Sequence, residues 1–243
     1  MTHTSEVTSV GFGASPSTDE HAAVLAHDVF KIYKQGTAET VALRGASLRI
    51  RAGEFVSLEG PSGSGKSTLM SILAGLATPS AGLVRVDGQD LADLDEAALA
   101  RWRGEHVGLV FQRGNLIPFL TVEENVALIA RPLVGRRRAR ERARGLIALL
   151  GLEQRSRHRP ARLSGGEAQR AGIAVALANE PAVLFGDELT GELDSETSAQ
   201  VMEILMARQR DDGLTLLLVT HNPDIAALAD RQLELSDGVV STR

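Results

Sequence analysis

The sequence contains no cysteine, which excludes disulfide bonds and thiolate metal sites and is compatible with a reducing compartment. No run of about 18 or more apolar residues is present, so no segment is expected to span a membrane. The first residues lack a basic start followed by an apolar block, and we therefore expect no secretory signal. The net charge of −5 argues against general nucleic-acid binding, which favours a basic surface. These absences predict a soluble protein whose membrane role, if it has one, depends on a second chain.

The chain has 243 residues, of which 43% are hydrophobic and 23% charged, enough for one large α/β domain or two small ones with a sizeable core. Residues 1–23 are rich in Ser, Thr and Gly without periodicity, and we expect them to form a disordered extension. The folded part is expected to cover residues 24–243.

Short extended segments dominate the first part of the folded region and return near its end. Extended segments are predicted at 24–32, 46–50, 54–58 and 84–89. Within the last of these, the Asp87–Gly88 pair predicts a hairpin turn. Residues from about 92 to 168 are predicted to be mainly helical. The continuous apolar runs at 182–185 and 214–219 are typical of parallel strands covered on both faces. The pattern predicts an α/β core interrupted by a helical insertion.

A glycine-rich segment gives the strongest functional signal, because it matches the G-x-x-x-x-G-K-[ST] pattern of a phosphate-binding loop. The glycines let successive backbone N–H groups point at an anion. Lys66 brings a positive charge to the outer phosphates, and the Ser67 hydroxyl is placed to hold Mg²⁺. A predicted strand before the loop and a predicted helix at 67–76 argue against a chance match in a surface turn. The predicted phosphate-binding residues are Gly60, Pro61, Ser62, Gly63, Ser64, Gly65, Lys66, Ser67 and Thr68.

Two adjacent carboxylates, Asp187 and Glu188, follow the apolar run at 182–185. A buried strand delivers such residues to the C-terminal edge of the sheet, where ligands of open α/β sheets bind. Neighbouring side chains of an extended chain point in different directions, so the two carboxylates need different roles. We expect Asp187 to hold the Mg²⁺ sphere and Glu188 to polarise the water that attacks the γ-phosphate. The pair alone is a weak signal, and the phosphate loop upstream strengthens it.

A second anion-receptive helix start is predicted at Ser164, Gly165 and Gly166, directly before a helical run at 168–178. It has no lysine of its own. Two phosphate-binding ends with one lysine suggest that the two ends serve different nucleotides.

The segment 163–170, Leu-Ser-Gly-Gly-Glu-Ala-Gln-Arg, resembles the signature motif of ABC transporter ATP-binding subunits, and the resemblance covers roughly residues 24–243. It implies a P-loop NTPase fold of the α/β class. This fold has a RecA-like core with a mixed or parallel sheet, an N-terminal antiparallel β part and an inserted helical subdomain at about 92–168. Segments 111–126 and 187–194 resemble the branch that includes macrolide exporters, lipoprotein-release ATPases and the cell-division ABC ATPase.

The resemblance also implies roles for single residues, with ATP and Mg²⁺ as cofactors. Tyr33, the only tyrosine, matches the adenine-stacking position, although a half-buried strand aromatic is the alternative. The loop 192–194 matches the one that crosses the dimer interface. The residues implied to act in hydrolysis are Lys66, Gln112, Glu188 and His221. The residues implied to hold the metal are Ser67, Gln112 and Asp187. Further nucleotide contacts are implied for Ser164, Gly165, Gly166, Glu167 and Asp194.

Three positions depart from the pattern of the branch. Leu189 replaces a usual proline and is expected to loosen the turn after Glu188. Glu192 replaces a common asparagine or small residue and places a negative charge at the predicted dimer seam. Val175 stands where arginine is usual. Because no catalytic group is lost, we expect slower or weaker dimer closure rather than inactivity.

The resemblance implies an ATP-hydrolysing subunit that forms a head-to-tail homodimer or heterodimer around two ATP molecules. It would drive a transmembrane permease on a separate chain, for export or for extraction from the membrane, and would bind no nucleic acid. The subunit is expected to be cytoplasmic and peripheral on the inner face of the membrane. The alternative is a non-transport ABC ATPase that regulates cell-wall hydrolysis through a membrane partner. A scaffold with little hydrolysis is disfavoured by the intact Glu188 and His221.

The predicted helical region also carries a dense group of arginines, which either form a solvated helix face or contact acidic lipid headgroups or an acidic partner. The group comprises Arg136, Arg137, Arg138, Arg140, Arg142, Arg144, Arg155, Arg157, Arg159 and Arg162.

Overall fold

The structure, a computed structural model, describes residues 22–36, 38–112 and 115–242. The strands are β1 (Ala22–Gln35), β2 (Ala38–Arg51), β3 (Phe55–Glu59), β4 (Ala81–Val86), β5 (Gln89–Asp90), β6 (Val107–Val110), β7 (Val183–Asp187), β8 (Thr215–Val219), β9 (Arg231–Ser236) and β10 (Val239–Thr242). The helices are α1 (Lys66–Leu73), α2 (Glu96–His106), α3 (Val122–Leu149), α4 (Gly165–Ala176), α5 (Ser195–Asp212) and α6 (Pro223–Ala226). The expected disordered extension, 1–23, lies outside the described residues except for its last two, which begin β1.

The first strands form a four-stranded antiparallel sheet in the order β2-β1-β4-β5. The predicted hairpin is confirmed, since Arg85 pairs with Asp90 across the turn. Both turn residues have positive φ, 47° at Asp87 and 76° at Gly88, as a two-residue turn that matches the strand twist requires.

A second sheet of six strands, in the order β10-β9-β3-β8-β7-β6, forms the centre of the molecule. All its neighbours are parallel except β10, which pairs antiparallel with β9. On β7, Val183 and Phe185 are buried in one core and Leu184 in the other. The apolar runs therefore belong to parallel strands covered on both faces, as predicted.

The two cores place the helices on opposite faces of this sheet. Helix α1 contributes residues such as Leu69 and Leu73 to the core that contains Phe185. Helix α4 contributes Ala171 and Ile173 to the core that contains Leu184. Because successive strand residues face opposite sides, α1 and α4 lie on opposite faces of the sheet.

The region from about 92 to 168 contains α2 and α3. Helix α3 is kinked at Gly135, whose φ of 76° is not helical. The prediction of a mainly helical region did not include strand β6, which lies inside it. A four-residue apolar run cannot be assigned to a strand or a helix by periodicity. Within β6, Gly108 allows close packing against the end of α4, because a Cβ there would lie 2.7 Å from the Ala176 carbonyl oxygen.

None of the helices within the described ranges is both long and apolar enough to cross a membrane.

Four of the clustered arginines form ion pairs with carboxylates: Arg137, Arg142, Arg144 and Arg155. Arg142 donates to the Ala178 carbonyl at 3.1 Å and lies 3.2 Å from the Glu180 carboxylate. Arg155 donates to Glu167 at 2.7 Å. Arg136, Arg138 and Arg140 are exposed, and the choice between a solvated face and an acidic partner stays open for them.

Candidate active site

The glycine-rich loop connects the end of β3 to the start of α1. Gly60, Gly63 and Gly65 have φ of 143°, 80° and 105°, a backbone conformation that glycine adopts without a steric cost. At Gly65 there is no room for a side chain, because a Cβ would lie 2.5 Å from the Ala42 carbonyl oxygen. The loop therefore has the tight backbone path that its sequence predicts.

The concave side of the loop is electropositive. No side chain caps α1, and within the described chain the backbone N–H groups of Lys66 and Ser67 make no hydrogen bond. The buried Ser64 hydroxyl likewise has no partner. Lys66 Nζ donates to the carbonyl oxygens of Gly60 at 2.7 Å and Pro61 at 2.8 Å, so its charge lies against the loop. Open N–H groups, a helix N-terminus and a lysine together form a receptive site for phosphate.

The structure brings the first carboxylate of the acidic pair to this loop. The Ser67 hydroxyl donates to Asp187 Oδ2 at 3.0 Å, across 120 positions of sequence. Hydroxyl and carboxylate oxygens are ligands that Mg²⁺ prefers. No group of three or more metal-binding side chains occurs in the part of the chain that the structure describes, so a cation here would need further oxygens, such as those of a phosphate.

Glu188 has the environment expected of a group that activates water. Its backbone has a positive φ of 51°, which is strained for a residue with a side chain. Its Oε1 atom is buried without a hydrogen-bond partner, and His221 Nε2 lies 3.5 Å away. The side chain of His221 is 57% exposed, whereas that of Glu188 is 23% exposed. The two predicted catalytic residues thus lie together at the ends of β7 and β8.

The signature segment begins α4 with a reciprocal capping box. Glu167 N–H donates to Ser164 Oγ at 3.2 Å, and Ser164 N–H donates to Glu167 Oε2 at 2.8 Å. The first two N–H groups of the helix, on Gly165 and Gly166, have no partner in the described residues. This helix start is therefore a second place where an anion can bind.

The hydrogen bond from the Ser164 backbone holds the pKa of Glu167 below its ordinary value of 4.5, and Arg155 lowers it further. Because folding lowers this pKa, the stabilisation is present above about pH 4.5 and is lost as the pH falls through the folded value. Glu167→Gln keeps the cap and loses the ion pair. We expect it to lower the free energy of unfolding by about 1 kcal/mol or less near neutral pH.

Urea unfolding of both proteins over a pH series measures this effect. The difference between parent and Glu167→Gln should shrink steadily below about pH 4.5, and a difference that grew on acidification would contradict the assignment.

Asp194 caps the next helix, α5. Its carboxylate accepts from Thr197 N–H at 2.8 Å and from the Thr197 hydroxyl at 2.9 Å. The backbone hydrogen bond is the main cause that lowers the pKa of Asp194. The role implied for Asp194 in nucleotide contact stays a prediction beside this structural one.

Gln112 lies on the segment that follows β6. It is exposed and lines a cleft of about 300 Å³ together with Asn115, α4 residues Gly165 and Gln169, and Glu192. It makes no hydrogen bond to Ser67 or Asp187 in the described structure, so its implied metal role stays a prediction.

Tyr33 lies on β1 and is 46% exposed as a residue. Lys31 Nζ lies 5.1 Å from the ring centroid and donates to the Thr78 carbonyl at 2.6 Å. The exposed face leaves room for a base, and stacking of adenine on Tyr33 stays a prediction.

Gln169 connects α4 with the turn after Glu188 and was not among the predicted site residues. This buried side chain donates to the Leu189 carbonyl at 2.9 Å, and the Leu189 side chain is itself buried. The available signal was a polar residue on the face of α4 that also carries Ile173, four positions on. The expected loosening by Leu189 is not tested by these contacts.

The model of the ABC transporter family matches residues 43–191, more than half of the chain. The macrolide export ATP-binding/permease protein MacB of Shigella flexneri is 48% identical over 88% of this chain and 33% of its own length. The protein of the same name from Marinobacter nauticus is 46% identical over 87% of this chain and 33% of its own. The chain spans about one third of the length of these relatives.

A solved structure gives the same result for the fold. The ATP-binding cassette MJ0796, as a dimer in a post-hydrolysis state bound to ADP and Pi, is 39% identical with a TM-score of 0.85. The match covers 90% of this chain and 98% of the other. The predicted P-loop NTPase fold and the resemblance to ABC transporter ATP-binding subunits are thereby confirmed. The chain belongs to the ABC transporter family, and its fold is that of the family's ATPase domain.

Proposed function

We propose that this chain binds and hydrolyses ATP as one half of a head-to-tail pair that drives a membrane permease. Each ATP lies between the phosphate loop of one subunit and Ser164 and Gly166 of the other. ATP binding closes the pair, and loss of the γ-phosphate releases it. The pair consists of two copies of this chain or of this chain with a second ATPase subunit.

This proposal rests on the positions of two helix N-termini whose first backbone N–H groups are unpaired. The phosphate loop at α1 and the signature end of α4 each expose free N–H groups, and the two helices pack on opposite faces of the central sheet. Because the sheet separates the two helices, we infer that one triphosphate does not bind at both ends of the same chain. A second subunit that presents its own signature end to the phosphate loop lets both ends bind phosphate.

The residues at the sheet edge fit a bound Mg²⁺, with Ser67 and Asp187 as its protein ligands. The cation would neutralise part of the charge on the phosphates. Glu188, with its unpartnered buried oxygen, orients the attacking water and accepts its proton. His221, 3.5 Å from Glu188, contacts the γ-phosphate.

The names of the relatives support export as the direction. The MacB relative is named a macrolide export ATP-binding/permease protein, and this chain matches about one third of its length. We place the subunit on the cytoplasmic face of the membrane, bound through its permease near Gln112 and the region of α3. Extraction of a substrate from the membrane is compatible with the same arrangement.

The test uses a matched pair of substitutions, Ser164→Asp and Ser164→Asn, in a Glu188→Gln background that blocks hydrolysis. Aspartate and asparagine both cap helices well, so the pair isolates a negative charge at the signature end. Ser164→Asp is expected to weaken MgATP-driven dimerisation about tenfold or more relative to Ser164→Asn, since like charges at an interface repel strongly.

Sedimentation over a protein concentration series measures the dimer constant, and nucleotide binding at low protein concentration gives the affinity of the monomer. The affinity of the monomer should be the same in both variants, because the monomer binds ATP at the phosphate loop. Equal dimerisation of the two variants would contradict the proposed clamp.

A further inference from the structure

Glu192 lies directly against the first turn of α4. A Cβ added to Gly165 would lie 2.9 Å from Glu192 Oε2 and 3.6 Å from its carboxyl carbon. A Cβ on Gly166 would lie 3.1 Å from the Glu192 carbonyl oxygen. Both the backbone and the carboxylate of Glu192 therefore border the signature end of the same chain.

This carboxylate has no cation of its own within the described ranges, where Glu192 forms no ion pair and no side-chain hydrogen bond. Its electrostatic neighbour is the start of α4, where the N–H groups of Gly165 and Gly166 are unpaired. A helix N-terminus carries a partial positive charge and attracts anions. The free subunit thus already holds the unpaired negative charge of Glu192 at its signature end, beside Glu167, whose charge is paired with Arg155.

We infer that Glu192 is an autoinhibitory competitor for the signature end, opposing the approach of the partner subunit's ATP. This inference rests on the proposed head-to-tail pair, in which a triphosphate reaches the same N–H groups. The incoming phosphate must either displace the Glu192 carboxylate or bind with that carboxylate a few ångströms away. Either event lowers the affinity of the ATP-bound dimer. In a dimer of two identical chains, this effect occurs at both ATP sites.

The phosphate loop leads into α1, which packs on the other face of the sheet from α4. We therefore expect the affinity of the dimer to depend on Glu192 and the ATP affinity of the monomer not to depend on it. Neutralising Glu192 strengthens dimer closure and leaves the nucleotide affinity of the isolated subunit unchanged. Added salt should reduce the difference between the parent and the neutral variant, because Glu192 is exposed and salt screens exposed charges.

The experiment compares Glu192→Gln, Glu192→Asn and Glu192→Asp in the Glu188→Gln background. Glu203→Gln, on an exposed position of α5, removes the same charge away from the signature end and serves as the control. Sedimentation with MgATP over a protein concentration series gives the dimer dissociation constant of each variant. Thermal unfolding of each variant shows that it is folded.

We expect Glu192→Gln and Glu192→Asn to lower the dimer dissociation constant about tenfold or more. Glu192→Asp and Glu203→Gln should stay within about twofold of the background. Dimers of equal affinity in all variants would overturn the role of Glu192 and leave the head-to-tail pair intact. The absence of MgATP-dependent dimers in every variant, the neutral ones included, would overturn the proposed pair itself.

Discussion

Glu188→Gln is expected to lower ATP turnover by about 10²–10⁴, the scale for a lost general acid–base group. Glutamine keeps the size of the side chain at the end of β7 but cannot accept a proton from water. ATP affinity should be unchanged, since the phosphate loop and Ser67 are not altered. Phosphate release at saturating MgATP measures turnover, and titration with a fluorescent nucleotide measures binding.

Glu105→Gln is the matched control for this result. Glu105 is exposed on α2 and loses the same charge on substitution, so its turnover should remain that of the parent. If Glu188→Gln hydrolysed ATP at the parental rate, Glu188 would not be the general base.

Lys66→Ala is expected to remove ATP binding, with the dissociation constant rising roughly a hundredfold or more. In the described structure the Lys66 ammonium group forms no ion pair and donates only to the neutral carbonyl oxygens of Gly60 and Pro61. We therefore expect it to turn to phosphate oxygens when ATP binds. Hydrogen bonds to charged groups are worth about 1.5–3 kcal/mol each, and two such bonds account for this loss. Titration with a fluorescent nucleotide measures it directly.

Lys34→Ala removes a lysine from an exposed ion pair on β1 and should bind ATP like the parent. Thermal unfolding of Lys66→Ala separates a lost phosphate contact from a collapsed loop. A folded Lys66→Ala protein with parental ATP affinity would show that the phosphate loop is not the binding site.

The sequence predicts the parts of the site that depend on a short continuous motif. The loop after β3, the carboxylates at the end of β7 and the helix start at Ser164 are each specified by neighbouring residues, and the structure places them as expected. The contact between Ser67 and Asp187 follows from two strand ends meeting at one sheet edge.

Other features depend on tertiary packing and were therefore missed or left open. Strand β6 is too short to show a period, and its place in the sheet depends on the fit of Gly108 against α4. The side chain of Gln169 reaches the Leu189 carbonyl only because α4 packs beside that turn. The capping role of Asp194 is indicated by its place directly before a helical segment, whereas the family resemblance implies only its role in nucleotide contact. The contact of Glu192 with Gly165 joins two segments that the sequence alone does not bring together.

Sedimentation velocity of Glu188→Gln with MgATP and with MgADP tests the clamp across two subunits most directly. The proposed mechanism predicts dimers in MgATP that dissociate to monomers in MgADP, because only the triphosphate bridges the phosphate loop of one subunit and the signature end of the other. Monomers in both nucleotides at every protein concentration, even with the permease present, would contradict it.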